Sequence, residues 1–184
     1  MVLVLCIGDM HVPYRTAGIP QQFKDMLLPG KIQYILCTGD LCSKEMYDYL
    51  KTVCTNLHVV KGQFDDDHSY PERKVVQVGD LKFGLQHGHN VIPWGDSESL
   101  GMVQREMDVD VLVTGHTHAL QCVCQEKNLL INPGSATGAY SHKSPTSTPS
   151  FCLLDVDGAK VTIYTYRLVD GELKKEKSVF NKSV

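Results

Sequence analysis

Long apolar runs are missing from this chain, and so is any surplus of positive charge. The first hydrophobic stretch, "MVLVLCIG", is too short to span a bilayer, carries no basic leader and meets Asp9 at once. It reads as a strand rather than a membrane span or signal peptide, which predicts a soluble, cytoplasmic protein. A formal net charge of −3 supplies no basic field for nucleic acid or anionic lipid. Internal repeats and long linkers are absent as well, which excludes solenoid and array architectures. The seven cysteines (Cys6, Cys37, Cys42, Cys54, Cys122, Cys124 and Cys152) lack the even, regular spacing of a disulfide framework. Cys122-x-Cys124 is a close pair on one strand face, but no second pair completes a tetrahedral metal set, so a packing role is expected.

What is present fits a globular α/β domain. With 184 residues, 42% of them hydrophobic, one domain over residues 1–184 can bury a substantial core. The first sixty residues alternate strand and helix. "LVLCIGD", "YILCTGD" and "LHVVKG" read as buried strands. "QQFKDMLL" reads as a helix closed by Pro29-Gly30. "SKEMYDYLKTVC" puts Met46, Tyr47, Leu50, Val53 and Cys54 on one helical face, with Ser43 placed to cap its start. In the second half, Gly79-Asp80 and Asp157-Gly158 mark hairpins, Ser97 to Met107 has helical spacing, and "DVLVTG" is another buried strand. "LQCVCQEKNLLIN" and "ELKKEKSVF" add further strands, and "YSHKSPTSTPS" reads as an exposed loop. The expected architecture is two sheets flanked by helices, parallel in the first half and antiparallel in the second.

The chemistry lies where the strands stop. Successive apolar runs end in "GDMH", "GD", "KGQFD", "QHGH" and "GHTH". Each offers glycine and then carboxylate, imidazole or amide, and in open α/β sheets ligands bind outside the carboxyl ends of strands. Asp9, His11, Asp40, Gln63, His87, His116 and His118 therefore have a route to one pocket. Four histidines, two aspartates and an amide suit a pair of divalent ions about 3.5–4 Å apart, and zinc, manganese or iron all accept such donors. Asn132 and Ser135 in "INPGSA" follow a strand and either support the ligands from behind or merely belong to the Pro133-Gly134 turn.

In these motifs the chain resembles the calcineurin-like metallophosphoesterases over nearly its whole length. "PGKIQYILCTGDLC", "YPERKVV", "HGHNVIPWGD" and "INPGSATGAY" resemble in particular the branch of that family that serves as subunits of the retromer sorting coat. The resemblance implies a two-sheet metallophosphoesterase sandwich. It implies that Asp9, His11 and His118 hold one ion, that Asp40 bridges, and that Gln63, His87 and His116 hold a second. In active relatives the third motif is Gly-Asn-His before an acidic residue; here Gly62, Gln63, Phe64 and Asp65 stand there. Phe64 has no proton to give a leaving group, a loss worth about 10²–10⁴ in rate. Val12 stands where a glycine is common, which predicts less room for phosphate, while Arg15 lies near enough to meet one. The expectation is a metal-binding site poorly equipped for turnover. The competing reading is an active dinuclear phosphoesterase on phosphoprotein or nucleotide-like esters.

With chemistry impaired, docking carries the function. Val91, Ile92, Pro93 and the single tryptophan, Trp94, follow His87 directly and are expected to be exposed, or in the case of Trp94 folded onto the core. The resemblance implies that this face seats on retromer's large α-solenoid subunit. It also implies that a second apolar patch, with Val2, Leu3, Leu153 and Tyr164 as candidates, recruits Rab-regulatory proteins. Membrane association would then be indirect, on endosomes, through the complex.

Overall fold

The computed structural model describes residues 1–182 except 126 and 144–146, so the middle of the polar loop from Tyr140 to Ser150 lies outside the described residues. One sheet contains β1 (Val2–Ile7), β2 (Tyr34–Cys37), β3 (Leu57–Val59), β9 (Ser150–Asp157), β10 (Lys160–Val169) and β11 (Glu172–Asn181), in the order β11-β10-β9-β1-β2-β3. The other contains β4 (Arg73–Val78), β5 (Leu81–Gln86), β6 (Val111–Val113), β7 (Gln121–Cys124) and β8 (Leu129–Asn132), in the order β4-β5-β6-β8-β7. Helices α1 (Gln21–Lys24) and α2 (Lys44–Val53) belong to the first half, and α3 (Ser97–Met107) to the second.

Alternation along the strands builds the layers. In β1, Val4 and Cys6 face the second sheet, where they meet Phe83, Leu85, Val111 and Ile131. Leu5 and Ile7 face the other way, onto Phe23, Met46 and Leu50 of the helical layer. On the far side of the second sheet, Leu112 and Leu130 receive Leu100 and Val103 of α3. Each such side chain, fully buried, contributes about 1.5–3 kcal/mol, so the core is one continuous helix–sheet–sheet–helix stack.

Both sheets are mixed, which corrects the expected division into a parallel and an antiparallel half. β1, β2 and β3 run parallel, and so do β5, β6 and β8. The β5–β6 connection contains α3, a crossover long enough to return the chain in the same direction. Antiparallel strands flank these triplets, as at β1–β9 and β4–β5. The consequence is functional, because each sheet presents three strand carboxyl ends at one edge.

Local differences have local causes. The first helix spans only Gln21–Lys24, not "QQFKDMLL". Pro20 at its start offers no side-chain cap, and Pro29 disfavours helical backbone just before it. Leu27 turns into the core while Leu28 stays exposed. Ser43 occupies the start of α2, yet its hydroxyl caps nothing; α3 is capped instead by Asp96, which accepts from the Ser99 backbone N–H at 2.8 Å. The β4–β5 turn is Gly79-Asp80, as expected. The β9–β10 turn is shifted by one residue to Gly158-Ala159, because Asp157 still pairs with Lys160.

Candidate metal centre

Every parallel strand ends at the same edge, and the loops there carry the candidate ligands. Asp9 and His11 follow β1, Asp40 follows β2, Gln63 follows β3, His87 follows β5, and His116 and His118 follow β6. Their backbones are unusual. Asp9, His11, Asp40, His116 and His118 all have φ between 49° and 72°, the left-handed region that costs a non-glycine residue about 1–3 kcal/mol. Strain concentrated on the chemically active side chains marks a built site rather than a set of turns. The glycines serve close approach: a Cβ on Gly62 would run into the Asp40 carboxylate, and one on Gly115 would meet Asp9 Oδ2 at 2.9 Å.

Two donor clusters result. Asp9, His11 and His118 form one and Asp9, Asp40 and His87 the other, with ligand atoms within 4.8 Å of each other in each. His11 Nε2 lies 3.2 Å from His118 Nε2. Asp9 belongs to both clusters, and Asp40 Oδ2, 3.5 Å from His11 Nε2 and 3.1 Å from His87 Nε2, reaches towards both. The imidazoles are aimed from behind: His87 Nδ1 is 2.7 Å from the Thr38 carbonyl and His118 Nδ1 2.6 Å from that of Ala139. A carbonyl only accepts, so Nδ1 carries the hydrogen and Nε2 turns into the cavity, where on a neutral ring its lone pair can ligate an ion.

The electrostatics fit a cation. Among the described residues Asp9 Oδ1 is buried without a hydrogen-bond partner, His87 Nε2 faces Asp40 Oδ2, and the His11–His118 contact between ring nitrogens is favourable only with a proton or cation shared between them. Burial lowers His11 and His116 to about 4, so both are neutral and ready to ligate. Burial raises Asp9 to about 6. Burial opposes charge on Asp40 and His87 too, but their mutual hydrogen bond and attraction outweigh it. Asp40 falls to about 2 and His87, beside two carboxylates, rises to about 9. The His87 proton thus offsets the negative charge that a metal ion would neutralise. A bound ion must displace that proton, so affinity for zinc should climb about tenfold per pH unit towards pH 9. Below about pH 6 the climb should be steeper, because Asp9 must also lose a proton. Calorimetric titration in buffers of different ionisation enthalpy measures the protons released; no release at pH 7 would contradict this charge balance.

Gln63 and His116 sit further out. Gln63 is exposed at the mouth, and His116 is half-buried, its ring 5.4 Å from that of His87 and 4.4 Å from that of Trp94. Both line a cavity of about 120 Å³ together with His11, Asp40 and His118. Arg15 also lines it, its guanidinium 5.0 Å from the ring centres of both Phe64 and Tyr140. Val12 does not narrow the cavity as expected, for it packs into the helical-side core. Asn132 and Ser135 do support the ligand loops. Asn132 donates to the Gly115 carbonyl and to Thr117 Oγ1, and Ser135 Oγ donates to the Asp9 carbonyl at 2.6 Å.

The apolar loop divides. Val91 is buried against α3, contrary to expectation, because it closes the small cluster around Leu100. Ile92 is 77% and Trp94 41% exposed. The tryptophan lies edge-on to His116 and donates its indole N–H to the His89 carbonyl, so it is neither free nor part of the core. Leu3, Leu153 and Tyr164 share the helix-side face of the first sheet and are half-buried there. Val2 points the opposite way, into the inter-sheet core.

Some contributors were not legible beforehand. Asp65 is buried and accepts from the backbone N–H groups of Asp40, Cys42 and Gly62; it fixes the loops that carry Asp40 and Gln63. His89 packs against His87 and His116. Tyr14 (66%), Phe64 (50%) and Tyr140 (55%) are exposed beside the mouth, Tyr14 within reach of Asp66. His142 and Lys143 line the cavity from the polar loop. Phe64, Asp65 and His89 stand in the strand-end motifs, but nothing in those motifs gives their contacts, and no periodicity or motif singles out Tyr14, Tyr140, His142 or Lys143.

The sequence and fold are shared with known proteins. Residues 2–159 match the calcineurin-like phosphoesterase superfamily domain. The chain is 41% identical over 185 residues to vacuolar protein sorting-associated protein 29 of Schizosaccharomyces pombe, covering 98% of this chain and 99% of the relative. The crystal structure of wild-type Vps29 complexed with Zn²⁺ from Entamoeba histolytica is 52% identical with a TM-score of 0.92, over 97% of this chain and 99% of that one. The structure of vacuolar protein sorting 29 from Cryptosporidium parvum is 43% identical with a TM-score of 0.95, over 98% of both chains.

Proposed function

This chain belongs to the calcineurin-like phosphoesterase superfamily, and we propose that it works as a scaffold subunit of the retromer coat in endosome-to-Golgi retrograde transport, with little or no phosphatase activity. Its relatives are named as vacuolar protein sorting proteins along their whole length, which supports the retromer assignment. The metal-bearing face docks on the coat's large α-solenoid subunit, and membrane contact is indirect, through the assembled coat on endosomes. The observation that carries this reading is that Phe64 and Trp94 line the cavity yet are exposed, with Tyr14, Ile92 and Tyr140 exposed on the same loops close by in sequence. Exposed aromatic and aliphatic side chains beside a rigid centre suit a protein interface, although Arg15 and Lys143 in the same lining would also tolerate an anion.

In this reading Asp9, His11, Asp40, Gln63, His87, His116 and His118 hold two divalent ions, zinc or manganese. Bound there, the ions neutralise the buried carboxylates and would polarise a phosphate ester or water. The chain's own residues then do the rest: Thr38, Ala139, Asn132 and Ser135 orient the ligands, and Asp65 sets the loop geometry. Turnover lacks an acid, because Phe64 occupies the proton donor's place. A second docking face, with Leu3, Leu153 and Tyr164 at its centre, receives Rab-regulatory proteins; Lys175 lies 4.4 Å over the Tyr164 ring at its margin. The alternative, a dinuclear phosphoesterase on phosphoprotein or phosphate esters, draws support from two adjacent donor clusters that share Asp9, with Asp40 close to histidines of both. Association of purified metal-loaded protein with the purified large subunit, measured by calorimetry beside its phosphopeptide hydrolysis, separates the two. Tight association without turnover is expected; enzyme-level turnover that is lost in His87→Ala would overturn the scaffold reading.

A further inference from the structure

A second chemical feature lies between the sheets, at the edge strand β7. Cys122 on β7 and Cys152 on β9 belong to different sheets, yet both border the inter-sheet core. The two thiols face each other across the core and each shifts the other's titration; Thr165, the β10 neighbour of Cys152, shares a groove with Cys122. Cys152 is fully buried and pairs across β10 with Thr165. Cys122 is only partly covered. It lines an open groove of about 270 Å³ at the sheet edges, together with Thr165, Arg167, Glu176 and Lys177. One thiol is therefore reachable from solvent, and the other is buried beside the same groove, behind Thr165. Cys6 lies beside Cys152 on the neighbouring strand β1 but is buried and away from the groove; Cys37, Cys42 and Cys54 are buried elsewhere and Cys124 is exposed.

We propose that Cys122 and Cys152 form a modification site, a thiol pair that peroxide converts to a disulfide joining the two sheets. The polarity of the pair assigns the roles. The contact with Cys152 holds the Cys122 thiol below its ordinary value even though burial opposes this. The same contact, and then burial, push Cys152 well above. Cys122 is the attacking sulfur, since the thiolate is the reactive form. Arg167 and Lys177 in the groove wall add positive charge beside it, although Glu176 is ion-paired with Arg167. In the first step the Cys122 sulfur attacks one peroxide oxygen. The O–O bond breaks, and the departing hydroxide takes the thiol proton and leaves as water, giving a sulfenic acid. In the second step the Cys152 sulfur attacks the Cys122 sulfur, the S–O bond breaks, and a second water leaves with the Cys152 proton. Two thiols and one peroxide become one disulfide and two waters.

The test uses the full chain in a Cys124→Ser background, which removes the exposed competitor. After stoichiometric hydrogen peroxide, non-reducing peptide mapping should find the Cys122 and Cys152 peptides cross-linked, with the mass of two hydrogens lost and both restored by a dithiol reductant. Cys122→Ser should abolish the cross-link. Cys152→Ala should leave Cys122 as a sulfenic acid that dimedone traps. Should Cys152→Ala fail to fold, the cross-link in the Cys124→Ser protein alone decides. Cys122 left unmodified, or oxidised without joining Cys152 in the Cys124→Ser protein, would overturn the proposal.

Discussion

Replacing Ile92 with aspartate should weaken binding to the large α-solenoid subunit by at least about 30-fold, the loss expected of a central apolar anchor. The side chain is 77% exposed, so the change removes no core contact and should leave the melting temperature and circular dichroism unaltered. The loop around it is held in place on both sides. Val91 is buried under α3, the Trp94 indole N–H is bound to His89, and Lys143 donates to the Trp94 carbonyl. A surface fixed in advance loses little entropy on docking, and a carboxylate at its centre would be desolvated without a partner. Calorimetry with wild-type and variant protein measures the difference. Equal affinities would place the interface elsewhere.

The second large effect runs in the opposite direction. Changing Gln63 to asparagine and Phe64 to histidine together should raise metal-dependent hydrolysis of a phosphopeptide by about 10²–10⁴ over wild type, the range a positioned general acid contributes. The backbone is already suited to it. The Phe64 N–H donates to Asp40 Oδ1 at 2.8 Å, a bond that does not depend on the side chain. The Phe64 ring sits 5.6 Å from the His11 ring, so an imidazole there would face the cavity mouth. The gain should vanish when His87 is also replaced by alanine. If the double variant were no faster than wild type, the missing acid would not be what silences the site.

Much of this site could be read before the fold was known, because strand ends in this topology have a fixed meaning. A buried run that stops in glycine followed by Asp or His states both where the strand ends and what it presents there. Asp9, His11, Asp40, His87 and His118 met as that logic requires. Gln63 and His116 were harder to place, since a residue's position on a loop fixes its neighbourhood but not its depth. Val91 and Ile92 show the same limit. Both are apolar and adjacent, and only the packing of α3 decides that one is buried and the other exposed. Tertiary effects also explain the misread sheets: the local pattern of β5, β6 and β8 is that of any buried strand, and their parallel pairing follows from crossovers that no strand records. Asp65 was visible as an acidic residue in the third motif, but its three backbone contacts come from segments more than twenty positions away as well as from its own loop.

The account rests on Asp9, Asp40 and their surrounding histidines acting as one receptacle for divalent cations. Crystals soaked in zinc and measured on both sides of the zinc absorption edge test this most directly. The account predicts two anomalous peaks, one among Asp9, His11 and His118 and one beside Asp40 and His87, both removed by Asp40→Ala. An absence of peaks there at saturating zinc, or peaks at surface residues only, would contradict it.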